Sequence, residues 1–505
     1  MSISARRPVS PIDLRVSTGA DVGERFDHAK VAISDTDLAD LQRLCPTDTV
    51  PTERAEASRD WWPLSMHWSL AGAVPALAAA VCRPSTTDEV VAVLAFCNDR
   101  GIPVTAAGGR SGVCGASVPL YGGVILDTTA LRGIVTIDAA SMVVEVLPGT
   151  FGPDLEEGLR AAGSTLGHFP QSFDISTVGG WVACRGAGQY STRYGKIADM
   201  VVGLEVALAD GTLLRTGGAP RAATGPDLNQ IFIGSEGTLG VVTRIWLRCQ
   251  PLPEIELRAA YSFTEFASGV DACRRILQRG ATPAVLRLYD GRESQRGHGG
   301  DGTECILLVL DEGDAAIVDA SMAVVDEECL STPGCQPRDS ALVEAWMQHR
   351  NDTSGLQALT KRGYVVDTME IAAPWSRLGD VHAAAIQALL AVDQARTATC
   401  HLSHSYRDGA CLYFTFAADP PAERLEETYV ALWNAGTRAV LAHGGNLSHH
   451  HGIGINRSRF VAETLGPAHR ILVALKTVLD PRGILNPGKM GLSRDSDSRP
   501  DDVWP

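Results

Sequence analysis

Three consecutive histidines lie in the glycine-rich segment GGNLSHHHGIG, residues 444–454. Imidazole side chains change charge near neutral pH, and they also bind divalent metal ions. The segment therefore has three interpretations: a metal site, an acid–base cluster of an enzyme, or a solvated turn. Because three consecutive side chains in extended backbone cannot all face one way, at most two of them share a site.

A tyrosine in the predicted strand ACLYFTFA, residues 410–417, is the second candidate for chemistry. Alternation along the strand puts Tyr413 on the face opposite Phe414 and Phe416, which we expect to be core. Tyr413 then faces either a cavity or a backbone group that satisfies its hydroxyl. A phenol has a reference pKa near ~10, so Tyr413 must be activated if it is to act as a base.

Two arginines are candidates for binding an anionic substrate. A guanidinium group binds two oxygens of a phosphate or carboxylate at once. Arg287 lies in LRLYD and Arg350 in WMQHRND. The alternative for either arginine is a solvated or structural ion pair, which is the usual role of this residue.

Three glycine-rich stretches in the first half of the chain predict a bound ligand. They are AAGGRSGVCGAS (106–117), STVGGWVACRGAGQYSTRYG (176–195) and GSEGTLGVVT (234–243). Glycine lets backbone N–H groups converge on an anion. One such stretch is as readily a simple turn, but three are better explained by backbone lying close to an extended ligand such as a dinucleotide. The spacing does not match GxGxxG, which argues against an NAD-type Rossmann site.

The elements that must position these residues alternate between helices and strands. The sequence predicts a helix in residues 86–101, TTDEVVAVLAFCNDRG. A threonine is its N-cap, acidic residues lie in its first turn, and Gly101 ends it. IPVTAAGG and GGVILDTT predict short buried strands. The prolines of QPLPE, residues 250–254, indicate a boundary, and amphipathic helices with alternating strands follow it. The pattern predicts an α+β protein in two parts.

Length and composition limit the class of protein. A chain of 505 residues with 45% hydrophobic and 20% charged residues is expected to form two or three globular domains. Its net charge of -15 argues against a nucleic-acid partner. The twelve cysteines form no CxxC pair, and no apolar run follows the arginines near the N-terminus. These features predict reduced thiols, no secretory signal and a cytoplasmic location.

Six segments together resemble the vanillyl-alcohol-oxidase class of FAD enzymes, and within it the alkyldihydroxyacetonephosphate synthase family. In chain order they are PQSFDISTVGGWVACRGAGQYSTRYGKIADMV, TGPDLNQIFIGSEGTLGVVTRIWL, LRLYD, EIAAPWSRL, GACLYFTF and NLSHHHGIG. The resemblance covers roughly residues 80–490. It implies a two-part PCMH-type FAD-binding domain plus a cap domain with an antiparallel sheet covered by helices. The implied division is an N-terminal arm (1–80), the FAD-binding domain (81–254), the cap (255–465) and a C-terminal segment (466–505) that packs back on the FAD domain.

The resemblance also implies FAD that is held without a covalent bond. Members with covalent FAD often carry a histidine in the first glycine loop, where this chain has Val113. The implied cofactor-binding residues come from all three glycine-rich stretches and the segment before the second: Gly108, Gly109, Arg110, Ser111, Gly112, Val113, Gln171, Asp174, Ser176, Thr177, Gly179, Gly180, Cys184, Arg185, Gly186, Ala187, Tyr194, Glu236, Gly237, Thr238, Leu239, Gly240, Val241 and Val242.

On the substrate side, the resemblance implies that Tyr413 is the catalytic acid–base group. His450 and His451 would line the active site and His449 would support them. Arg287 matches an arginine of the family, whereas Arg350 lies in a region, 340–362, that departs from the family pattern. The implied reaction replaces the acyl chain of acyl-dihydroxyacetone phosphate with a fatty alcohol through a flavin N5 adduct.

Two other functions remain open at the sequence level. One is an FAD-dependent oxidase or dehydrogenase of a 2-hydroxy acid or another alcohol, with hydride transfer to the flavin. The other is a non-catalytic flavin subunit that carries electrons, which the tyrosine beside the histidine run argues against. The expected partners are a phosphate, lipid or hydroxy-acid substrate and a second copy of the chain. A lipid substrate would also imply contact with a membrane surface.

No metal is expected at the histidine run. Related 2-hydroxyacid dehydrogenases carry metal ligands in the motifs HxGDGNxH and EHGxG. This chain has SHSYRDGACLY and HHGIG in their place. His404 is kept, but Tyr413 and His450 replace ligands of those motifs.

Overall fold

The computed structural model describes residues 6–16, 21–26 and 30–493. The remainder of the predicted N-terminal arm and the end of the predicted C-terminal segment lie outside the described residues. Within them, no helix is long and apolar enough to cross a membrane.

Up to residue 254 the chain forms a mixed sheet, an antiparallel sheet and the helices that cover them. The strands are β1 (Gly23–Glu24), β2 (Thr47–Asp48), β3 (Ala73–Val74), β4 (Ala80–Cys82), β5 (Val104–Ala107), β6 (Val124–Asp127), β7 (Ile134–Asp138), β8 (Val143–Val146), β9 (Ser164–Thr165), β10 (Val201–Ala207), β11 (Leu213–Gly217), β12 (Val241–Arg248) and β13 (Gln250–Pro251). The helices are α1 (Asp35–Leu44), α2 (Pro51–Ala57), α3 (Pro63–Leu70), α4 (Thr87–Arg100), α5 (Gly152–Ala161), α6 (Val178–Cys184), α7 (Ser191–Tyr194), α8 (Ile197–Met200) and α9 (Asn229–Phe232).

The mixed sheet has the order β2-β4-β6-β5, in which β4, β6 and β5 are parallel. Helix α4 begins and ends where the sequence predicts: the Thr86 hydroxyl accepts the N–H of Glu89, and Gly101 closes the helix with φ 65°. Positive φ at that position favours glycine. The second sheet is antiparallel, in the order β11-β10-β12-β8-β7.

After residue 254 the chain forms one seven-stranded sheet, which we call the cap sheet. Its strands are β14 (Ile255–Phe263), β15 (Val285–Tyr289), β16 (Cys305–Gly313), β17 (Gln336–Arg338), β18 (Val365–Pro374), β19 (Ala395–Ser405) and β20 (Gly409–Ala418). The order is β17-β14-β16-β15-β19-β20-β18, and the neighbouring strands are antiparallel. The helices that follow residue 254 are α10 (Phe266–Gln278), α11 (Gly291–His298), α12 (Ala315–Leu330), α13 (Ala341–His349), α14 (Ser354–Lys361), α15 (Leu378–Leu390), α16 (Leu425–Ala442), α17 (Ser458–Leu465) and α18 (His469–Leu479).

The largest apolar core lies between the cap sheet and its helices. Leu412, Phe414 and Phe416 of β20 are fully buried in it, together with Trp433 of α16 and Leu389 of α15. The opposite face of β20 is left for polar side chains, as the alternation in the sequence predicts. The predicted α+β class, with an antiparallel cap sheet covered by helices, is confirmed.

The chain after α18 returns to the first half of the protein. Leu485 forms a parallel bridge with Val104 of β5. The Asn486 amide donates to the carbonyl oxygens of Ala116 and Glu236, 2.9 and 2.7 Å away. Ala116 belongs to the first glycine-rich stretch and Glu236 to the third, so these hydrogen bonds connect the two stretches.

Candidate active site

A cavity of about 1070 Å³ lies between the glycine-rich stretches and the polar face of the cap sheet. Most of the cofactor-binding residues predicted from the sequence line it: Gly108, Gly109, Arg110, Ser111, Gly112, Val113, Gln171, Asp174, Ser176, Thr177, Gly179, Gly180, Cys184, Gly186, Ala187, Glu236, Gly237, Gly240, Val241 and Val242. From the other half of the chain, Arg287, Arg350, Tyr413, His450 and His451 line the same cavity. The fold thus brings the predicted cofactor and substrate residues to one place.

Four predicted cofactor residues face away from the cavity. The Arg185 guanidinium donates to the side chain of Gln230, and the Tyr194 hydroxyl donates to Glu312 at 2.7 Å. The Thr238 hydroxyl donates to the carbonyl of Ser235 at 2.7 Å, and Leu239 is buried in an apolar core. These four side chains contact the protein on the side of the loops away from the cavity. Although they are close in sequence to residues that line the cavity, they do not line it themselves.

The first glycine loop packs backbone to backbone against the segment that precedes α6. A Cβ on Gly109 would lie 2.2 Å from the carbonyl oxygen of Ile175, and one on Gly108 would lie 2.3 Å from the Thr177 hydroxyl. A side chain at either position would collide with this neighbouring segment, so the two glycines let the loop pack closely against it and form, with Gly112, a glycine cradle at the cavity wall. The cradle therefore fits the diphosphate of a dinucleotide such as FAD.

Two thiols near the first and second loops are unreactive in this fold. Cys184 lines the cavity, but burial raises the pKa of its thiol to about 12. Cys114 is 1% exposed, and burial raises its pKa well above the usual value. Neither is a thiolate at neutral pH, the form that would attack a flavin.

The register of the cap sheet places four polar residues in one row. Tyr289 of β15 pairs with His401 of β19, which pairs with Tyr413 of β20, which pairs with Glu370 of β18. Directly opposed residues project from the same face of a sheet. The two middle members of the row, His401 and Tyr413, line the cavity, whereas Tyr289 and Glu370 lie beside them in the sheet.

Glu370 organises the histidine segment. One of its carboxylate oxygens accepts the backbone N–H groups of His449, His450 and His451, at 3.2, 3.0 and 2.7 Å. The other carboxylate oxygen accepts from Arg457, and both side chains are completely buried. Burial alone would raise the pKa of Glu370, but the charges of Arg457 and then His451 hold it well below its usual value. A buried carboxylate thus fixes the turn that carries all three histidines.

The three histidines divide between the cavity and the interior. The rings of His450 and His451 lie 6.0 and 5.5 Å from the Tyr413 ring, between centroids. The His449 ring instead packs on His404, and its Nε2 lies 2.6 Å from the Tyr406 hydroxyl. Burial lowers the pKa of both His449 and His450 well below the usual range, and neighbouring cationic groups add to the effect. His450 is therefore a neutral imidazole at the cavity wall, which is the protonation state of a general base.

Tyr413 lies where the predicted acid–base group should lie, but its environment differs from the expected one. Its hydroxyl donates to Thr368 at 3.0 Å, and its ring stacks on His401 with centroids 4.8 Å apart. Burial raises the pKa of the phenol, whereas a base requires it to be lowered. Tyr413 is therefore a protonated phenol that donates a hydrogen bond, whereas His450 is a neutral imidazole.

Both predicted arginines are held in place by aromatic and polar neighbours. Arg287 donates to the Tyr289 hydroxyl at 2.6 Å, and its guanidinium lies 2.6 Å from His401 Nε2. Arg350 donates to the Gln189 side chain at 3.0 Å and lies 5.2 Å from the centre of the Tyr190 ring. Guanidinium groups held in this way are pre-organised for an anion.

Several residues at the cavity or directly behind it were not predicted from the sequence. Arg296 and Arg396 also line the cavity and add positive charge to it. No sequence pattern singled out Glu370 or His401, although Glu370 is the first residue of EIAAPWSRL. Only strand register reveals that these residues flank Tyr413.

His404, His449 and His450 form a cluster whose ligand atoms lie within 4.8 Å of one another, so that it could hold a metal ion. His404 is the histidine that the sequence retains from the metal-binding motifs of the related dehydrogenases, and the fold places it beside the histidine run. The ring nitrogens already have partners: His404 Nδ1 lies 2.7 Å from the Ser191 hydroxyl, and His449 Nδ1 lies 2.8 Å from His450 Nδ1. A metal on all three rings would have to displace the histidine–histidine hydrogen bond. The absence of a metal stays a prediction.

Family models match both halves of the chain. A model described as FAD binding domain matches residues 78–217, and one described as FAD linked oxidases, C-terminal domain, matches residues 252–490. The binding of FAD is thereby shown for the first part of the chain, where the glycine cradle lies.

Curated relatives span most of the chain. The uncharacterized FAD-linked oxidoreductase YgcU of Escherichia coli strain K12 is 34% identical, over 81% of this chain and 88% of that protein. The alkyldihydroxyacetonephosphate synthase of Dictyostelium discoideum is 28% identical, over 81% and 72% of the two chains. The glycolate oxidase subunit GlcD of Bacillus subtilis is 27% identical, over 81% and 88%. The synthase and the oxidase subunit are equally similar to this chain.

Solved structures share the fold. A structure of alkyldihydroxyacetonephosphate synthase matches with a TM-score of 0.79 and 22% identity, over 95% of this chain and 89% of the other. A substrate-bound p-cresol methylhydroxylase matches with a TM-score of 0.71 and 18% identity, over 92% and 98%. At these identities the likeness concerns the PCMH-type architecture alone.

Proposed function

Because the chain belongs to the FAD-linked oxidoreductases, we propose that it is an FAD-dependent enzyme whose substrate joins an anionic group to an apolar chain. The proposed reaction is that of the synthase relatives: the acyl chain of acyl-dihydroxyacetone phosphate is exchanged for a fatty alcohol. One observation carries the proposal. A neutral His450, a protonated Tyr413 and the cationic Arg287 line the cavity that also holds the glycine cradle.

The side chains divide the work by their chemistry. FAD, when bound without a covalent link, supplies the flavin ring at which the substrate carbon reacts. Arg287 and Arg350 bind the anionic group and so position the reacting carbon. His450 accepts the proton that leaves the substrate, and Tyr413 donates a hydrogen bond to the oxygen that gains negative charge.

An apolar wall favours the synthase reaction over the oxidation of a small hydroxy acid. Met66 of α3 and Leu356 and Leu359 of α14 line the cavity, together with Trp61 and Tyr364. Helices α3 and α14 pack against each other, so these side chains form one surface. An alkyl chain would bury apolar area there, whereas a small hydroxy acid would leave it unused.

The second candidate function is oxidation of a 2-hydroxy acid or another alcohol. It is supported by the neutral state of His450, because an unprotonated imidazole is what removes a hydroxyl proton during hydride transfer. Arg287 would then bind the substrate carboxylate. The two reactions differ in their effect on the flavin, which alcohol oxidation reduces and acyl exchange leaves without net reduction.

Anaerobic mixing of the yellow protein with each substrate class separates the two functions. With palmitoyl-dihydroxyacetone phosphate and labelled hexadecanol, the synthase reaction forms labelled alkyl product with no net flavin reduction. A 2-hydroxy acid that bleaches the flavin, with turnover once an electron acceptor is added, would establish the second function and reject the first. Tyr413→Phe is the matched inactive control, because it removes one hydroxyl and leaves the glycine cradle untouched.

The mode of FAD attachment has its own test. Trichloroacetic acid should release all yellow colour from the precipitated protein, as expected for cofactor without a covalent bond. Colour that stays in the pellet would instead identify a covalent flavin.

A further inference from the structure

A chain of hydrogen bonds leads from the main cavity through the interior to a second, outer pocket. His450 lines the main cavity, and its Nδ1 lies 2.8 Å from Nδ1 of His449. His449 Nε2 lies 2.6 Å from the hydroxyl oxygen of Tyr406. Tyr406 in turn lines the outer pocket, which has a volume of about 500 Å³.

The outer pocket reaches solvent, and the middle of the chain does not. Gln278, Arg279, Thr282 and Arg407 are exposed residues of the pocket's lining. His449 is only 7% exposed, and it is not one of the residues that line the main cavity or the outer pocket. Tyr406 is half-buried and belongs both to the hydrogen-bonded chain and to the lining of the outer pocket, so it is the residue at which the two meet.

We infer that His449 and Tyr406 form a proton relay that carries the substrate's proton from His450 to the outer pocket. The inference rests on the proposed function, in which His450 is the proton acceptor. It holds equally for acyl exchange and for alcohol oxidation, because both release a proton in the cavity.

One proton enters the relay at His450, and one proton leaves it at Tyr406. His450 starts with hydrogen on Nδ1 and accepts the substrate's proton at Nε2. Its Nδ1 proton passes to Nδ1 of His449, the Nε2 proton of His449 passes to the Tyr406 oxygen, and the Tyr406 proton passes to water or a buffer base in the outer pocket. Each imidazole ends neutral in its other tautomer, and one proton has left the cavity.

The groups around the relay favour passing the proton along it over holding the proton on a histidine. Burial opposes a charged imidazolium at His450 or His449, and the ammonium group of Lys196, which donates to the His449 carbonyl, opposes it further at His449. Glu370 fixes the backbone of both histidines. A proton that reaches His450 is therefore unstable there and moves on along rings already in hydrogen-bond contact.

Removing the Tyr406 hydroxyl tests the outer end of the relay in the holoenzyme. Tyr406→Phe is expected to slow substrate turnover roughly 10-fold, less than the ~10²–10⁴-fold loss for a primary acid or base. Added imidazole, which can enter the outer pocket, should restore the rate of this variant. His449→Gln should be equally slow, but added imidazole should not restore its rate, because the space left by the histidine ring is buried. Tyr261→Phe is the matched control and should react normally, because it removes a hydroxyl of β14 that is bonded to Asp326 of α12.

Nitrogen NMR of histidine-labelled holoenzyme provides a measurement that needs no substrate. In a connected relay, Tyr406→Phe changes the imidazole signals of both His449 and His450. A change at His449 alone overturns the relay, as does wild-type turnover of Tyr406→Phe without any response to imidazole. If the wild-type protein acts on none of the substrates, the proposed function fails, and the NMR result alone decides the relay.

Discussion

Replacing Glu370 with glutamine keeps the size of the side chain and removes the charge that organises the histidine segment. Glu370 and Arg457 are both 0% exposed and form an ion pair in which Arg457 donates to both carboxylate oxygens. One of these oxygens also accepts three successive backbone N–H groups and the hydroxyl of Ser448. The substitution therefore acts on stability and on the position of the catalytic imidazoles together.

The expected loss follows from the uncompensated charge of Arg457. Breaking a buried ion pair by removing one partner costs about 3–5 kcal/mol, because the other charge stays buried. Glutamine keeps one acceptor oxygen, so the turn retains part of its hydrogen bonding. Against a total stability of about 5–15 kcal/mol, Glu370→Gln should be among the most damaging isosteric changes in the chain.

The pH dependence of this loss has a definite sign. The pKa of Glu370 in the folded protein lies well below its usual value, so its contribution to stability is present above the unfolded pKa of about 4.3 and is lost as pH falls through the folded value. The stability difference between wild type and Glu370→Gln should thus stay constant near neutral pH and shrink only in strong acid.

Urea unfolding followed by tryptophan fluorescence measures both quantities. Glu427→Gln is the matched control, since Glu427 forms an exposed pair with Arg424 and its loss should leave the midpoint unchanged. The double variant Glu370→Gln with Arg457→Met should recover stability relative to Glu370→Gln, because it removes the stranded charge. A Glu370→Gln protein with a wild-type midpoint, or a double variant less stable than the single one, would refute the reasoning.

Three further predictions concern the cavity. His450→Ala should lower turnover by ~10²–10⁴-fold and leave the protein yellow, measured by steady-state rate and flavin absorbance; loss of FAD would show that the residue is structural. Gly109→Ala should weaken FAD binding and cost about 1–3 kcal/mol of stability, because its Cβ would meet the Ile175 carbonyl at 2.2 Å; titration of the apoprotein with FAD checks this, and normal affinity would contradict it. Dialysis against EDTA should leave turnover unchanged, and elemental analysis should find no stoichiometric metal at His404 and His449; activity restored only by added zinc would refute that expectation.

Local features were predictable from the sequence because they depend on neighbours along the chain. Helix α4 begins at its threonine cap and ends at Gly101, and β5 ends at the first glycine loop, as expected. The alternation in β20 also placed Tyr413 opposite the buried Phe414 and Phe416. The resemblance supplied the fold class and the cofactor, and the comparisons with known proteins confirm both.

Side-chain direction in the loops was less predictable. Arg185 and Tyr194 lie in glycine-rich stretches that contact the cavity, yet their side chains bond to Gln230 and Glu312 behind it. Loop backbone has no fixed period, so adjacent residues in such a stretch face unrelated directions. The same holds for His449, which faces the interior while the next two histidines face Tyr413.

By itself, the sequence determined that this protein has a glycine-lined cofactor site, a strand tyrosine on a polar face and a histidine turn. Tertiary structure alone decided how these groups are held and in which direction their pKa values shift. Glu370 holds the turn from 79 residues away, and burial raises the pKa of Tyr413 and lowers that of His450. Solvent exclusion and register between distant strands cause these effects, and neither is encoded in the spacing of the residues that carry the chemistry.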